Sequence, residues 1–124
     1  MPARKPQEAN TLVVQAINDG DMEAALALYE PDASFVPEPG QVVTGREAIR
    51  QVLDGFMALK PALTIEVPTV VQSGDIALLY SEWSLTGTDA DGGPLTMSGK
   101  GREVVRRQPN GDWLFVVDDP NGGG

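Results

Sequence analysis

The stretch Leu95–Asp119 constrains the fold more than any other part of the chain. Its two arms, Leu95–Gln108 and Trp113–Asp119, are rich in β-branched and aromatic residues and flank Pro109-Asn110-Gly111-Asp112. Asn110-Gly111 is a strong signal for a tight turn, because both residue types tolerate positive φ. The spacing predicts a long antiparallel hairpin. Its first arm carries Arg102, Glu103, Arg106 and Arg107, more charge than an ordinary core strand tolerates. Such side chains either face water or line a polar pocket. Strand alternation places Met97, Gly99, Gly101, Glu103 and Val105 on one face, and it sends Asp118 and Asp119 to opposite faces.

The first half of the chain reads as helices. Leu12, Val13, Ala16 and Ile17 fall on one face of a helix over Glu8–Asp19, which Gly20 ends as a left-handed cap. Asp21 caps a second helix with Met22, Ala25, Leu26 and Tyr29 buried, and Pro31 stops it. Asp32–Val36 reads as a short strand, Pro37–Gly40 as an irregular turn and Gln41–Val43 as a few extended residues. Thr44-Gly45-Arg46-Glu47 has the form of a capping box opening a third helix to about Leu59, with Ile49, Val52, Leu53 and Phe56 inward.

Beyond Ala62 the period changes to two. Leu63–Gln72 is a strand with a bulge or an edge at Pro68. Ile76–Thr86 is a second, with Ala77, Leu79, Ser81, Trp83 and Leu85 on one side and Ile76, Leu78, Tyr80 and Glu82 on the other. Both sides are mostly apolar, so this strand is central or its outer face meets another subunit. Gly87–Pro94 is a polar loop. Three N-terminal helices packed in a curved, mainly antiparallel sheet define an α+β cone with one open mouth. A single domain over 8–120 is expected, between flexible tails at 1–7 and 121–124.

Composition narrows the chemistry. The net charge of −9 argues against nucleic acid and against anionic membranes as partners. No apolar run approaches the roughly 20 residues of a membrane span, and no secretory leader is visible, so a cytoplasmic location is expected. The chain has neither Cys nor His. Nucleophilic triads and nitrogen- or sulfur-ligated zinc are thereby excluded; no metal site or cofactor is expected. Any acid–base work falls to a carboxylate, Lys or Tyr, and a carboxylate active near neutral pH needs burial to raise its pKa.

Four segments carry a resemblance to a known family: Gly20-Asp-Met-Glu-Ala24, Tyr29-Glu-Pro-Asp-Ala-Ser-Phe35, Val43-Thr-Gly-Arg-Glu-Ala-Ile49 and Arg106-Arg-Gln-Pro-Asn-Gly-Asp-Trp113. Together they resemble the NTF2-like superfamily, in particular its SnoaL-like and ketosteroid-isomerase-like branch, over about residues 8–120. The resemblance implies the cone fold and a homodimer. It also implies a base near Val36-Pro37-Glu38-Pro39-Gly40, where Glu38 takes that role if the prolines are matched. It places Glu103 at the position of a protonated acid that holds an enolate oxygen, and it turns Asp118 inward. The family's helix-one tyrosine is replaced by Val13, so a ketosteroid isomerase proper is not implied.

Three classes of function stay open. The first is an enzyme moving protons on a small hydrophobic carbonyl or polyketide-like compound, in isomerisation or cyclisation. Its catalytic candidates are Glu38, Glu103 and Asp118, and its ligand-binding candidates Tyr80, Trp83, Phe56, Val105 and Val116. The second is a pocket that binds a small hydrophobic molecule without reaction. The third is a dimeric interaction domain with a filled cone. Alternative roles for the candidates are a solvated loop position for Glu38, an ion pair to Arg46 or Arg102 for Glu103, and a turn cap for Asp118. Of Arg106 and Arg107, one is expected to face water or a partner and the other is a candidate for an anionic ligand.

Overall fold

A computed structural model describes residues 2–122; the expected flexibility of Met1, Gly123 and Gly124 concerns positions outside the described residues. The order is α1 (Glu8–Asp19), α2 (Met22–Leu26), β1 (Tyr29–Glu38), β2 (Gln41–Thr44), α3 (Arg46–Met57), β3 (Ala62–Ser73), β4 (Ile76–Thr88), β5 (Pro94–Arg107) and β6 (Trp113–Asp119). The strands form one curved, six-stranded mixed sheet in the order β2-β1-β6-β5-β4-β3. The meander β3–β6 is antiparallel, and β1 joins β6 in parallel. The fold therefore has three helices, but not three N-terminal ones: two strands intervene before α3, and β1 lies inside the sheet.

Local chemistry sets the boundaries. Gly20 ends α1 at φ 68°, and the Asp21 carboxylate caps α2 by accepting from the Ala24 amide at 3.1 Å. α2 is shorter than the side-chain pattern predicts, and Tyr29 opens a strand rather than closing a helix. Pro31 is the physical reason, because proline disfavours helical geometry at Glu30 before it. The capping box does not form. Thr44 ends β2 with its hydroxyl 3.1 Å from that of Ser34, and Gly45, at φ 96°, starts α3 without a side-chain cap. The last hairpin turns over Gln108–Asp112, with the Gln108 amide donating to the Asp112 carbonyl at 2.7 Å. Only Gly111 there has positive φ, so this is a wider loop than the two-residue turn expected. Pro68 marks a register shift on edge strand β3.

The segment before α1 is tied down where a mobile tail was expected. Ala3 is buried and its carbonyl accepts from the Trp113 amide at 2.9 Å, and Arg4 bonds Asp112 at 2.8 Å. The core fills the concave side of the sheet: Val13, Ala16 and Ile17 of α1 and Ile49 and Leu53 of α3 pack against Leu79, Val105 and Phe115. No helix of the described residues is long and apolar enough to cross a membrane.

A buried acid pair at the candidate functional site

Inside the sheet, directly opposite positions on β5 and β6 carry Glu103 and Asp118. Glu103 faces inward by simple alternation with Gly101 and Val105, all buried. Asp118 needs an irregularity. Trp113 and Phe115 face the core, so strict alternation would turn Asp118 outward. The register slips instead between Val104 and Val105: Val104 pairs with Val117, Val105 with Phe115, and Val116 has no partner. This one-residue bulge resets the period and brings Asp118 to the Glu103 side.

Each acid meets neutral donors. Asn10 of α1 donates through Nδ2 to Glu103 Oε1 at 2.8 Å, and Ser81 of β4 donates through Oγ to Glu103 Oε2 at 2.8 Å. The Tyr29 hydroxyl of β1 donates to Asp118 Oδ2 at 2.6 Å. Among the described residues Asp118 Oδ1 has no hydrogen-bond partner, and Asp118 is one of the residues that line the cavity. Glu103 and Asn10 are both 2% exposed. Burial, then the Asp118 charge, push the Glu103 carboxyl up to about 8, against the lowering effect of the Asn10 and Ser81 bonds. Burial, aided by the Asp119 charge and opposed by the Tyr29 bond, raises Asp118 to about 6. Burial and the neighbouring Asp118 likewise raise the Tyr29 phenol well above its ordinary value. Two acids this close in a medium of low polarity resist holding two charges, and near neutral pH they share one proton.

These groups form the polar end of a cavity of about 70 Å³. Its walls are apolar and include Val13, Ile17, Phe35, Phe56, Leu63 and Trp83. No Lys or Arg side chain lines it among the described residues. Trp83 closes one side by donating from Nε1 to the Pro120 carbonyl at 2.8 Å. Its ring lies over Gly99, where a Cβ would come within 2.9 Å of the indole.

Two of the three candidate acids therefore come together, and the third does not. Glu38 is exposed at the turn from β1 to β2 and lies outside the cavity. Among the candidate ligand contacts, Trp83 and Phe56 line the cavity. Tyr80 is on the outer face at 39% exposure, Val105 is buried in the core and Val116 is the bulge residue, and none of these three lines it. The arginines suggested for Glu103 are engaged elsewhere. Arg46 donates to the Tyr29 carbonyl at 2.9 Å, and Arg102 approaches Asp119 at 4.0 Å. Asp119, not Asp118, caps the following turn by accepting from the Asn121 amide. Arg106 pairs with Glu30 and Arg107 with Asp75, both outside the cavity.

Sequence reasoning did not single out Asn10, Tyr29 and Ser81 as functional. Each left a trace. Asn10 and Ser81 are polar residues on faces otherwise read as apolar. Tyr29, Ala33 and Phe35 share the period of a strand, not of a helix.

An α+β fold with an apolar cavity and an acid pair in its lining defines the class of protein. The family match is direct: residues 11–116 match the SnoaL-like domain, and the chain belongs to that family. Solved structures agree on the fold. A ketosteroid isomerase-like protein from Erwinia carotovora atroseptica SCRI1043 is 23% identical, with 92% of this chain and 90% of that chain covered and a TM-score of 0.80. An NTF2-like superfamily protein from Salmonella enterica serovar Typhimurium LT2 is 21% identical over 95% of this chain and 88% of that one, at TM-score 0.82. An NTF2-like protein with a cystatin-like fold from Novosphingobium aromaticivorans is 23% identical over 91% and 76%, at TM-score 0.77. No curated protein matches the chain.

Proposed function

We propose that this chain is an acid–base enzyme that shifts a proton on a small, uncharged carbonyl compound, as in isomerisation by way of an enol. The observation that carries the reading is the buried Glu103–Asp118 pair, which lines an apolar cavity with no Lys or Arg in the lining among the described residues. Asp118 has the lower pKa and is mainly ionised at neutral pH; it serves as base through Oδ1. Glu103 holds the proton and is the acid that supplies the carbonyl oxygen as charge develops there. Tyr29 keeps the Asp118 carboxylate oriented. Glu38 has no part, since it is exposed and outside the cavity.

The cavity also bounds the substrate. Pockets for drug-sized ligands run to about 300–1,000 Å³, whereas this one holds about 70 Å³. A compound of a few carbon atoms fits the space better than a polyketide, and the absence of lining cations disfavours an anion. The test is hydrogen–deuterium exchange at the α-carbons of a panel running from acetone to cyclohexanone, followed by NMR in heavy water. Catalysed, saturable exchange for at least one ketone is expected. Exchange at the buffer rate across the panel would remove the reading.

We also propose that two copies pair through the outer sheet face. Val71, Leu78, Val104 and Val117 form one aliphatic row across β3, β4, β5 and β6, and Ile76 and Tyr80 flank Leu78 on the same face. Light scattering at micromolar concentration should give twice the chain mass; the mass of one chain would count against the pairing.

A further inference from the structure

The two acids differ in how they can reach a ligand. Asp118 has an oxygen to spare. Each Glu103 oxygen already has a neighbour, Asn10 on Oε1 and Ser81 on Oε2, both at 2.8 Å. Ser81 is itself a cavity-lining residue, although it is only 3% exposed. Its hydroxyl is bonded to the acid within the cavity lining and can donate in either direction, as a serine hydroxyl turns to suit its partners.

We infer that Ser81 is a catalytic residue, the group that touches the ligand's oxygen and passes it the proton stored on Glu103. The inference rests on the acid–base function proposed above and deepens it. In the resting state Glu103 Oε2–H donates to Ser81 Oγ, and the Ser81 hydrogen points to the carbonyl oxygen. Asp118 Oδ1 takes the α-proton, and the C–H electron pair becomes the C=C bond of the enol. The carbonyl π pair moves to oxygen, which takes the Ser81 proton, while Ser81 Oγ takes the proton of Glu103. The ligand loses one proton and gains one, Asp118 becomes neutral and Glu103 becomes a carboxylate. In that state Glu103 accepts from both Asn10 and Ser81, across the same 2.8 Å contacts.

Gly101 gives the relay its room. A Cβ there would lie 2.5 Å from Glu103 Oε2 and 2.6 Å from Ser81 Oγ. The other titratable or charged groups facing the relay are Asp118 beside Glu103, Tyr29 on Asp118, and Asp119 behind the pair.

Groups that act in series are not additive, which a double-mutant cycle detects. With the most responsive ketone of the panel, Ser81→Ala and Glu103→Gln should each slow α-exchange about 100-fold. The double variant should be no slower than the slower single one. Ser81→Thr keeps the hydroxyl, so it should keep most of the rate. Losses that multiply in the double variant, or full activity in Ser81→Ala, would overturn the relay and leave the acid–base reading standing. Absence of exchange in the unaltered chain would overturn both. Thermal melts of each variant identify any loss that comes from unfolding.

Discussion

Carboxylates on the two sides of one sheet meet opposite fates. On β1, Glu30 accepts from Arg106 at 2.8 Å and from Gln108 at 2.8 Å. Burial pushes its pKa up, but these bonds and the Arg106 charge outweigh burial and hold the carboxyl below its ordinary value. On β5 and β6, Glu103 and Asp118 also have short hydrogen bonds, yet both pKa values are raised. Their donors are an amide and two hydroxyls, which carry no charge. Neutral donors orient a carboxylate without compensating for its desolvation or for a like charge opposite. Satisfying hydrogen bonds and neutralising charge are thus separate operations. The outer surface does both, while the inner end of the cavity does only the first and so keeps a proton available near neutral pH.

The comparison can be broken most severely at the acids themselves. Asp118→Asn should lower ketone α-exchange by about 10²–10⁴-fold, whereas Glu30→Gln should leave it unchanged; equal losses would erase the distinction between the two sides. Next in size is Gly101→Ala, which intrudes on Glu103 and Ser81. Overpacking of this kind costs about 1–3 kcal/mol, measurable as a lower urea midpoint at unchanged slope. Alanine at Gly55, whose added Cβ would meet nothing within 4 Å, should show no such loss.

The dependence of stability on pH sharpens the contrast because the two sides have opposite signs. Glu103 and Asp118 bind protons more tightly folded than unfolded. Their contribution is fully present below the unfolded carboxyl pKa and is lost as pH rises through about 6 and about 8. Glu30 is the reverse: its contribution is present above the unfolded pKa and is lost as pH falls through its depressed folded value. Melting temperature should therefore drop between pH 5 and pH 8. Glu103→Gln should flatten that limb, and Glu30→Gln should affect only the acid limb. The smallest effect is expected from Arg102→Ala, which removes a 4.0 Å outer ion pair. Exposed pairs contribute about 0–1 kcal/mol, within reach of denaturant titration.

Much of this arrangement was legible in the residues alone. α1 spans the predicted Glu8–Asp19, and the inner face of β4 is the predicted alternation from Ala77 to Leu85. Glu103 turns inward because nothing interrupts β5 between Gly101 and Val105. What escaped depends on contacts that no local pattern encodes. The bulge at Val116 is set by pairing with a strand across the hairpin, and without it Asp118 faces the other way; its inward direction was anticipated only through family resemblance. That same resemblance pointed to Glu38, which is exposed and does not line the cavity. Tyr29 was assigned to a helix because Ala25, Leu26 and Tyr29 also fit helical spacing, and periodicity alone does not arbitrate so short a run. Pro31 resolves the ambiguity in favour of the strand.

The central claim is that one proton is shared between two buried acids that no cation neutralises. Carbon-13 NMR of chain labelled at its Asp and Glu carboxyl carbons tests it most directly, as a titration from pH 3 to pH 10. The account predicts two inner carboxyls titrating near pH 6 and pH 8, with the upper one moving down in Asp118→Asn. Titration of both with the surface carboxylates, near pH 4, would contradict it.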